Sequence, residues 1–170
     1  AENIKAIFTI PVSGNYNPLT IFTFAIERAL FGLNPTPYHF NNLLLHLICT
    51  GLVFWLMLLL RLPLLAAALA AMLFGIHPMR VESVAWITER KDVLFAVFYI
   101  AALIQYIFYI TKEKGKTKHF VLVLLFFVLS LLSKIQAVAL PLSLLAIDYY
   151  FKRPIKFNLL LEKVPHFGLS

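Results

Sequence analysis

Five apolar runs, at about 38–60, 64–76, 93–110, 120–132 and 137–151, dictate what this chain can fold into. A bilayer core about 30 Å thick takes about 20 apolar residues per crossing helix, so runs of this kind point to helices that span a membrane. Composition agrees: 61% of the 170 residues are hydrophobic and 14% charged, against roughly a quarter charged in a soluble domain. The fold class expected is an all-α polytopic membrane protein with about five transmembrane helices and one interfacial helix.

The interfacial helix is residues 18–31, PLTIFTFAIERALF. Asn17 before Pro18 supplies an N-cap and a proline at the first helical position. Fourteen residues rise only about 21 Å, too little to cross. The segment 32–37, GLNPTP, breaks the helix, because each proline disfavours helical geometry in the residue before it. Arg61, Leu62 and Pro63 then turn the first run into the second, which is short and Ala-rich, as suits a closely packed helix. The organisation expected is an external loop over 1–37, a membrane domain over 38–156 with an elbow at 77–92, and a further segment starting at 157–170. Ala1 is not preceded by Met or a basic leader region, and FNLLLEKVPHFGLS at the other end reads as the approach to another apolar segment, so both ends are expected to be cuts.

Short cytoplasmic loops collect Lys and Arg. Arg61, Lys112, Lys114, Lys116, Lys118, Lys152, Arg153 and Lys156 fall on one side of the alternating spans. That side, holding 111–119 and 152–156, is expected to be cytoplasmic; 1–37 and 77–92 are then extracytoplasmic. An integral protein of this kind sits in the inner or plasma membrane if bacterial and in the endoplasmic reticulum if eukaryotic. The net charge of +7 is accounted for by those loops, and no basic stripe with interleaved aromatics points to nucleic acid. The single cysteine, Cys49, lies inside a span and allows no disulfide within the chain.

The elbow, FGIHPMRVESVAWITERKD at 74–92, breaks the apolar pattern with Arg80, Glu82, Glu89, Arg90, Lys91 and Asp92. At the bilayer centre six such charges would cost roughly 15 to 20 kcal/mol, so the elbow belongs at the water boundary or around a polar cavity. Its three cations balance its three carboxylates. Glu82 and Glu89, seven apart, would share a face of a continuous helix but lie about 10 Å apart along it, too far to chelate one ion. His77 and Glu82 miss the i, i+4 spacing of a zinc pair, and no metal site is expected from these residues. Arg80, Arg90 and Lys91 suit a phosphate, Arg by a bidentate fork and Lys as a point charge. The alternative is a self-satisfied ion-paired elbow with no chemistry. Asn42, His46, Cys49 and Thr50 continue one face of the first span and read as hydrogen-bonding contacts inside the bundle. Lys134 could snorkel or receive an anionic ligand. Asp148, Tyr149 and Tyr150 beside Lys152 and Arg153 read as a boundary belt.

Three segments in order, YNPLTIFTFAIERALFGLNPTPYHFNNLLLHL, FGIHPMRVESVAWITERKDVL and LLSKIQAVALPLSLLAIDYYF, resemble the membrane part of the TMTC-like proteins, which carry tetratricopeptide repeats and belong to the C-type superfamily of membrane glycosyltransferases. The resemblance runs from about Ile4 to Phe151 and is most specific at His-Pro-x-x-x-Glu-Ser-Val-Ala-Trp with the Glu-Arg-Lys-Asp that follows. It implies part of a C-type fold, a polyprenyl- or dolichyl-phosphate-sugar donor, and transfer on the extracytoplasmic face to a protein hydroxyl or another acceptor. Partners are then membrane lipid, the lipid-linked donor and an acceptor protein. The resemblance places the catalytic acidic residue, as base or metal-linked group, upstream of Ala1, so the catalytic residue is unknown here; the cofactor is open, a divalent metal through that acidic loop being the expectation. Asn17 departs from the Arg expected in relatives. Developing charge on a leaving lipid phosphate calls for cations: His77, Arg80, Arg90, Lys91 and Lys134 are the donor phosphate-binding candidates, with Glu82, Glu89 and Asp92 orienting them. The fragment alone is expected to be inactive. The competing function is a non-catalytic membrane scaffold carrying the repeats; a transporter fits less well, since no span carries a charge near its centre.

Overall fold

A computed structural model of the chain describes Ile7 and residues 16–153. The expected segment at 157–170 and most of residues 1–15 lie outside the described residues. Within them every element is helical.

Proline and glycine set the boundaries. Helix α1 (Pro18–Phe31) opens on proline and stops at Gly32, whose φ of 67° and N–H bond to the Arg28 carbonyl at 3.0 Å close the last turn. Asn34 then accepts a hydrogen bond from the Thr36 N–H at 3.1 Å and caps α2 (Pro35–Leu59). Here the prolines act differently from the sequence expectation. Pro35 and Pro37 sit in the first turn of α2, where a missing N–H loses no intrahelical bond, and the span begins at 35 rather than 38. Helix α3 (Leu64–Ile76) keeps the expected bounds. His77, held extended (ψ 128°) by Pro78 after it, bends the chain by 60° into α4 (Met79–Ala85). A 3-10 turn (Ile87–Glu89) leads into α5 (Arg90–Thr111), then α6 (Lys116–Ser133), a second 3-10 turn (Ile135–Ala139) and α7 (Leu140–Tyr150).

Among the described residues three helical stretches are long and apolar enough to cross a membrane: α2, Ile87–Thr111 and α6. The bent pair α3–α4 makes a fourth if taken as one crossing, and Ile135–Tyr150 is a shorter apolar stretch. Length and composition therefore support three or four crossings and do not by themselves establish five.

Helix α5 runs through the middle. It lies parallel to α2, with the Cys49 thiol donating to the Val93 carbonyl at 3.4 Å at one end and the Trp55 and Phe108 rings 5.8 Å apart towards the other. It lies antiparallel to α6, from Ser130 on the Phe95 carbonyl (3.2 Å) to Tyr109 against Phe120 (5.6 Å). Ile104, Ile107, Val123, Phe127, Leu140 and Leu144 are buried between α5, α6 and α7. Ala67 and Ala71 are buried against α2, so the Ala-rich face of α3 permits close approach. Helix α1 is laid against α6, α2 and α5.

Candidate functional site

These directions sort the charges. The ends of α2, α5 and α7 and the start of α6 meet at one pole of the bundle, which carries Arg61, Lys112, Lys114, Lys116, Lys118, Lys152 and Arg153. The elbow, α1 and Lys134 gather at the opposite pole. The elbow is not one continuous helix: Trp86, with ψ 114°, ends α4 and separates Glu82 from Glu89, so the two do not share a helix face.

At this pole His77, Arg80, Glu82, Glu89 and Asp92 line one cavity of about 610 Å³, floored by Phe74. Five of the eight sequence candidates are therefore brought together. Arg90, Lys91 and Lys134 do not line it, and each is paired with a carboxylate. Lys91 Nζ bonds Glu89 Oε1 at 2.9 Å, and Lys134 pairs with Asp92. Both bridges are about three-quarters buried and hold two cavity carboxylates in place.

Arg90 is turned inward and only 1% exposed. Its Nη1 meets Glu27 Oε1 at 2.6 Å, its Nε donates to Asn42 Oδ1 at 2.7 Å, and its Nη2 donates to the Tyr38 carbonyl at 2.9 Å. The guanidinium also lies 4.4 Å over the Phe24 ring. Asn41 donates to the same Glu27 oxygen at 2.5 Å. A charge so enclosed ties α1 to α2 and α5 rather than facing the cavity. The elbow's neutrality thus has different partners from those read in the sequence: Arg90 pairs outside it, and Lys134 supplies the replacement cation.

Arg80 and Glu82 are left in no ion pair among the described residues. The Arg80 guanidinium stacks 4.7 Å over Phe74, which fixes its plane without neutralising it. The Met79 N–H donates to His77 Nδ1 at 3.2 Å, which leaves Nε2 as the ring nitrogen able to donate. His77 and Arg80 also line a second crevice of about 260 Å³, walled by Leu43, Ile76, Val81, Val84 and Ala85. A polar cavity and an apolar crevice therefore share the same two donors. Sequence reading missed Phe74 and Glu27: nothing in spacing tells which aromatic carries a guanidinium or which distant carboxylate meets Arg90.

The polar face of α2 performs the packing role expected. His46 Nε2 donates to the Gly75 carbonyl at 2.9 Å and Thr50 Oγ1 to the His46 carbonyl at 3.0 Å. At the basic pole Asp148 is buried, accepting from Tyr106 Oη at 2.6 and 2.7 Å and from Arg153 Nη1 at 2.8 Å, which makes it more than a boundary residue. Among the described residues no three His, Cys, Asp or Glu side chains come together to hold a metal ion.

No family model and no solved structure matches the chain. Curated proteins do. The chain is 35% identical over 101 residues to protein O-mannosyl-transferase TMTC3 of Mus musculus, covering 59% of this chain and 10% of that protein. It is 37% identical over 93 residues to protein O-mannosyl-transferase TMTC2 of Homo sapiens (55% and 11%). It is 33% identical over 150 residues to protein O-mannosyl-transferase F38B6.6 of Caenorhabditis elegans (85% and 20%). The chain spans about a tenth to a fifth of the length of these relatives.

Proposed function

This chain is TMTC-like, a stretch of membrane helices similar to protein O-mannosyl-transferases, and from that premise we propose that it forms part of the membrane core of a glycosyltransferase. Its donor is a sugar on polyprenyl or dolichyl phosphate, and its acceptor a protein hydroxyl on the extracytoplasmic face. The observation that carries this reading is the pair His77 and Arg80, which line both the polar cavity and the apolar crevice. A ligand that suits both has an anionic head and a hydrocarbon tail. The stacked Arg80 fork, with no carboxylate on it among the described residues, offers two N–H groups to phosphate oxygens.

In this reading Arg80 stabilises the charge that develops on the leaving lipid phosphate, and His77 donates a hydrogen bond to the same group. Glu82 accepts from sugar hydroxyls, and Glu89 and Asp92, held by Lys91 and Lys134, shape the wall. Arg90 acts as a positioning residue through Glu27. The donor pole is extracytoplasmic, with residues 1–37 and 77–92, and the basic loops 111–119 and 152–156 are cytoplasmic.

The test is transfer by the intact parent protein in reconstituted membranes, from a lipid-phosphate-linked sugar to an acceptor protein. Arg80→Gln is expected to lower kcat/KM about a hundredfold, the size found when one donor to a developing oxyanion is lost. Lys134→Gln, whose cation is already paired, is expected to cost less. Absence of transfer by the unaltered protein, or full transfer by Arg80→Gln, overturns the reading.

A further inference from the structure

The basic pole carries a feature that the transferase reading does not use. Helices α2 and α7 end in the same way. After α2, the Arg61 N–H bonds the Leu58 carbonyl at 2.9 Å and the Leu62 N–H the Met57 carbonyl at 3.1 Å. After α7, the Lys152 N–H bonds Tyr149 at 3.0 Å and the Arg153 N–H bonds Asp148 at 3.0 Å. This closing turn demands a left-handed residue, a position that glycine fills at no steric cost. Here it is filled by Arg61 (φ 63°) and Lys152 (φ 53°), the two non-glycine residues with positive φ among those described, and both are cations.

The two turns meet. Tyr150 Oη donates to the carbonyl of Leu60, the residue before Arg61, at 2.5 Å. Beside that bond lies a cavity of about 600 Å³ lined by Ala146, Tyr149, Tyr150, Lys152 and Arg153; Arg61 does not line it but stands on the adjoining turn, one residue past the Leu60 carbonyl that Tyr150 holds. Arg153 is neutralised by Asp148. Arg61 and Lys152 are exposed and, among the described residues, in no ion pair, so the corner carries net positive charge. Tyr149 is 82% exposed at the end of an apolar helix, a placement that suits a ring lying at headgroup level with its hydroxyl in the polar layer. A neutral corner would be satisfied by glycine at both turns. Strained cations beside an aromatic-lined hollow are suited to an anion presented at the membrane surface.

We infer that this corner, where the α2–α3 turn meets the end of α7, seats the phosphate of an anionic phospholipid, with Arg61 and Lys152 as its cations and Tyr149 and Tyr150 against its glycerol and upper chains. The test uses the full chain equilibrated with micelles holding equal phosphatidylcholine and phosphatidylglycerol, with retained lipid read by native mass spectrometry. The unaltered chain is expected to keep phosphatidylglycerol preferentially. Arg61→Gly and Lys152→Gly are each expected to cut that preference about fivefold, the contribution of one basic residue near an anionic surface. Because glycine suits a left-handed turn, both variants keep or raise the melting temperature, which separates lost binding from lost fold. Lys114→Gln removes a charge from the same pole away from the corner and leaves the preference intact. Equal retention of the two lipids, an unchanged preference in the glycine variants, an equal loss in Lys114→Gln, or displacement by inorganic phosphate at matched concentration would each overturn the assignment.

Discussion

Replacing Glu27 by Ala strands the Arg90 guanidinium in a site where it is 1% exposed. Removing one partner of a buried ion pair costs roughly 3–5 kcal/mol, because the remaining charge has been taken from water without its counter-charge. Two features of this pair set the expected value near the lower bound. Arg90 keeps its bonds to Asn42 (2.7 Å) and the Tyr38 carbonyl (2.9 Å) and its stack on Phe24. Glu27 Oε2, buried and with no hydrogen-bond partner among the described residues, is an unsatisfied acceptor whose removal returns part of the cost. The expectation is therefore about 3 kcal/mol. For a chain of this size each kcal/mol moves the midpoint by about 2–4 °C, so thermal unfolding in a fixed detergent should fall by on the order of 10 °C. Glu27→Leu combined with Arg90→Leu should recover most of that loss, since apolar residues of similar volume can replace a buried pair at little cost. The reasoning is refuted if Glu27→Ala costs under about 1 kcal/mol, the level of an exposed pair, or if the double variant is no better than Glu27→Leu alone.

Tyr106→Phe removes the hydroxyl that donates to both oxygens of the buried Asp148, and is expected to destabilise by about 1–3 kcal/mol, measured by the same unfolding assay. Gly75→Ala would set a methyl 3.2 Å from Thr50 Cγ2, whose rotamer is held by the bond from Thr50 Oγ1 to His46. A loss of about 1 kcal/mol is expected; because Thr50 Oγ1 would also lie 3.3 Å from that methyl, adding Thr50→Ser should restore only part of it, and adding Thr50→Ala more.

Much of the fold is local and was therefore legible. Pro18 opens a helix, Gly32 closes it, Pro63 and Pro78 bracket the 64–76 helix, and the apolar runs show where helices can cross. The departures are local as well: Pro35 and Pro37 read as breakers but initiate α2, because a proline's effect depends on whether it lies in the first turn or later. The crossing count stays between three and four by length, since α3 and the Ile135–Tyr150 stretch are short. For the site, the elbow's charges gather at one pole, and His77, Arg80, Glu82, Glu89 and Asp92 share a cavity. Which cation remains available there was not legible. Arg80, Arg90, Lys91 and Lys134 are equivalent in a list of charges, yet Arg90, Lys91 and Lys134 are each engaged by a carboxylate and Arg80 is not.

The sequence by itself determined that this chain is a set of membrane helices, where most of them start and stop, and that its charges collect at two poles. Apolar length, proline geometry and the cost of burying charge act over a few residues and need no knowledge of neighbours. Only the tertiary structure decided partners. Glu27 meets Arg90 because α1 folds back on α2 and α5, Lys134 reaches Asp92 because α5 and α6 run antiparallel, and Tyr150 reaches the Leu60 carbonyl because α2 and α7 end at the same pole. Pairing energy depends on distance and burial, which the order of residues along a chain does not specify.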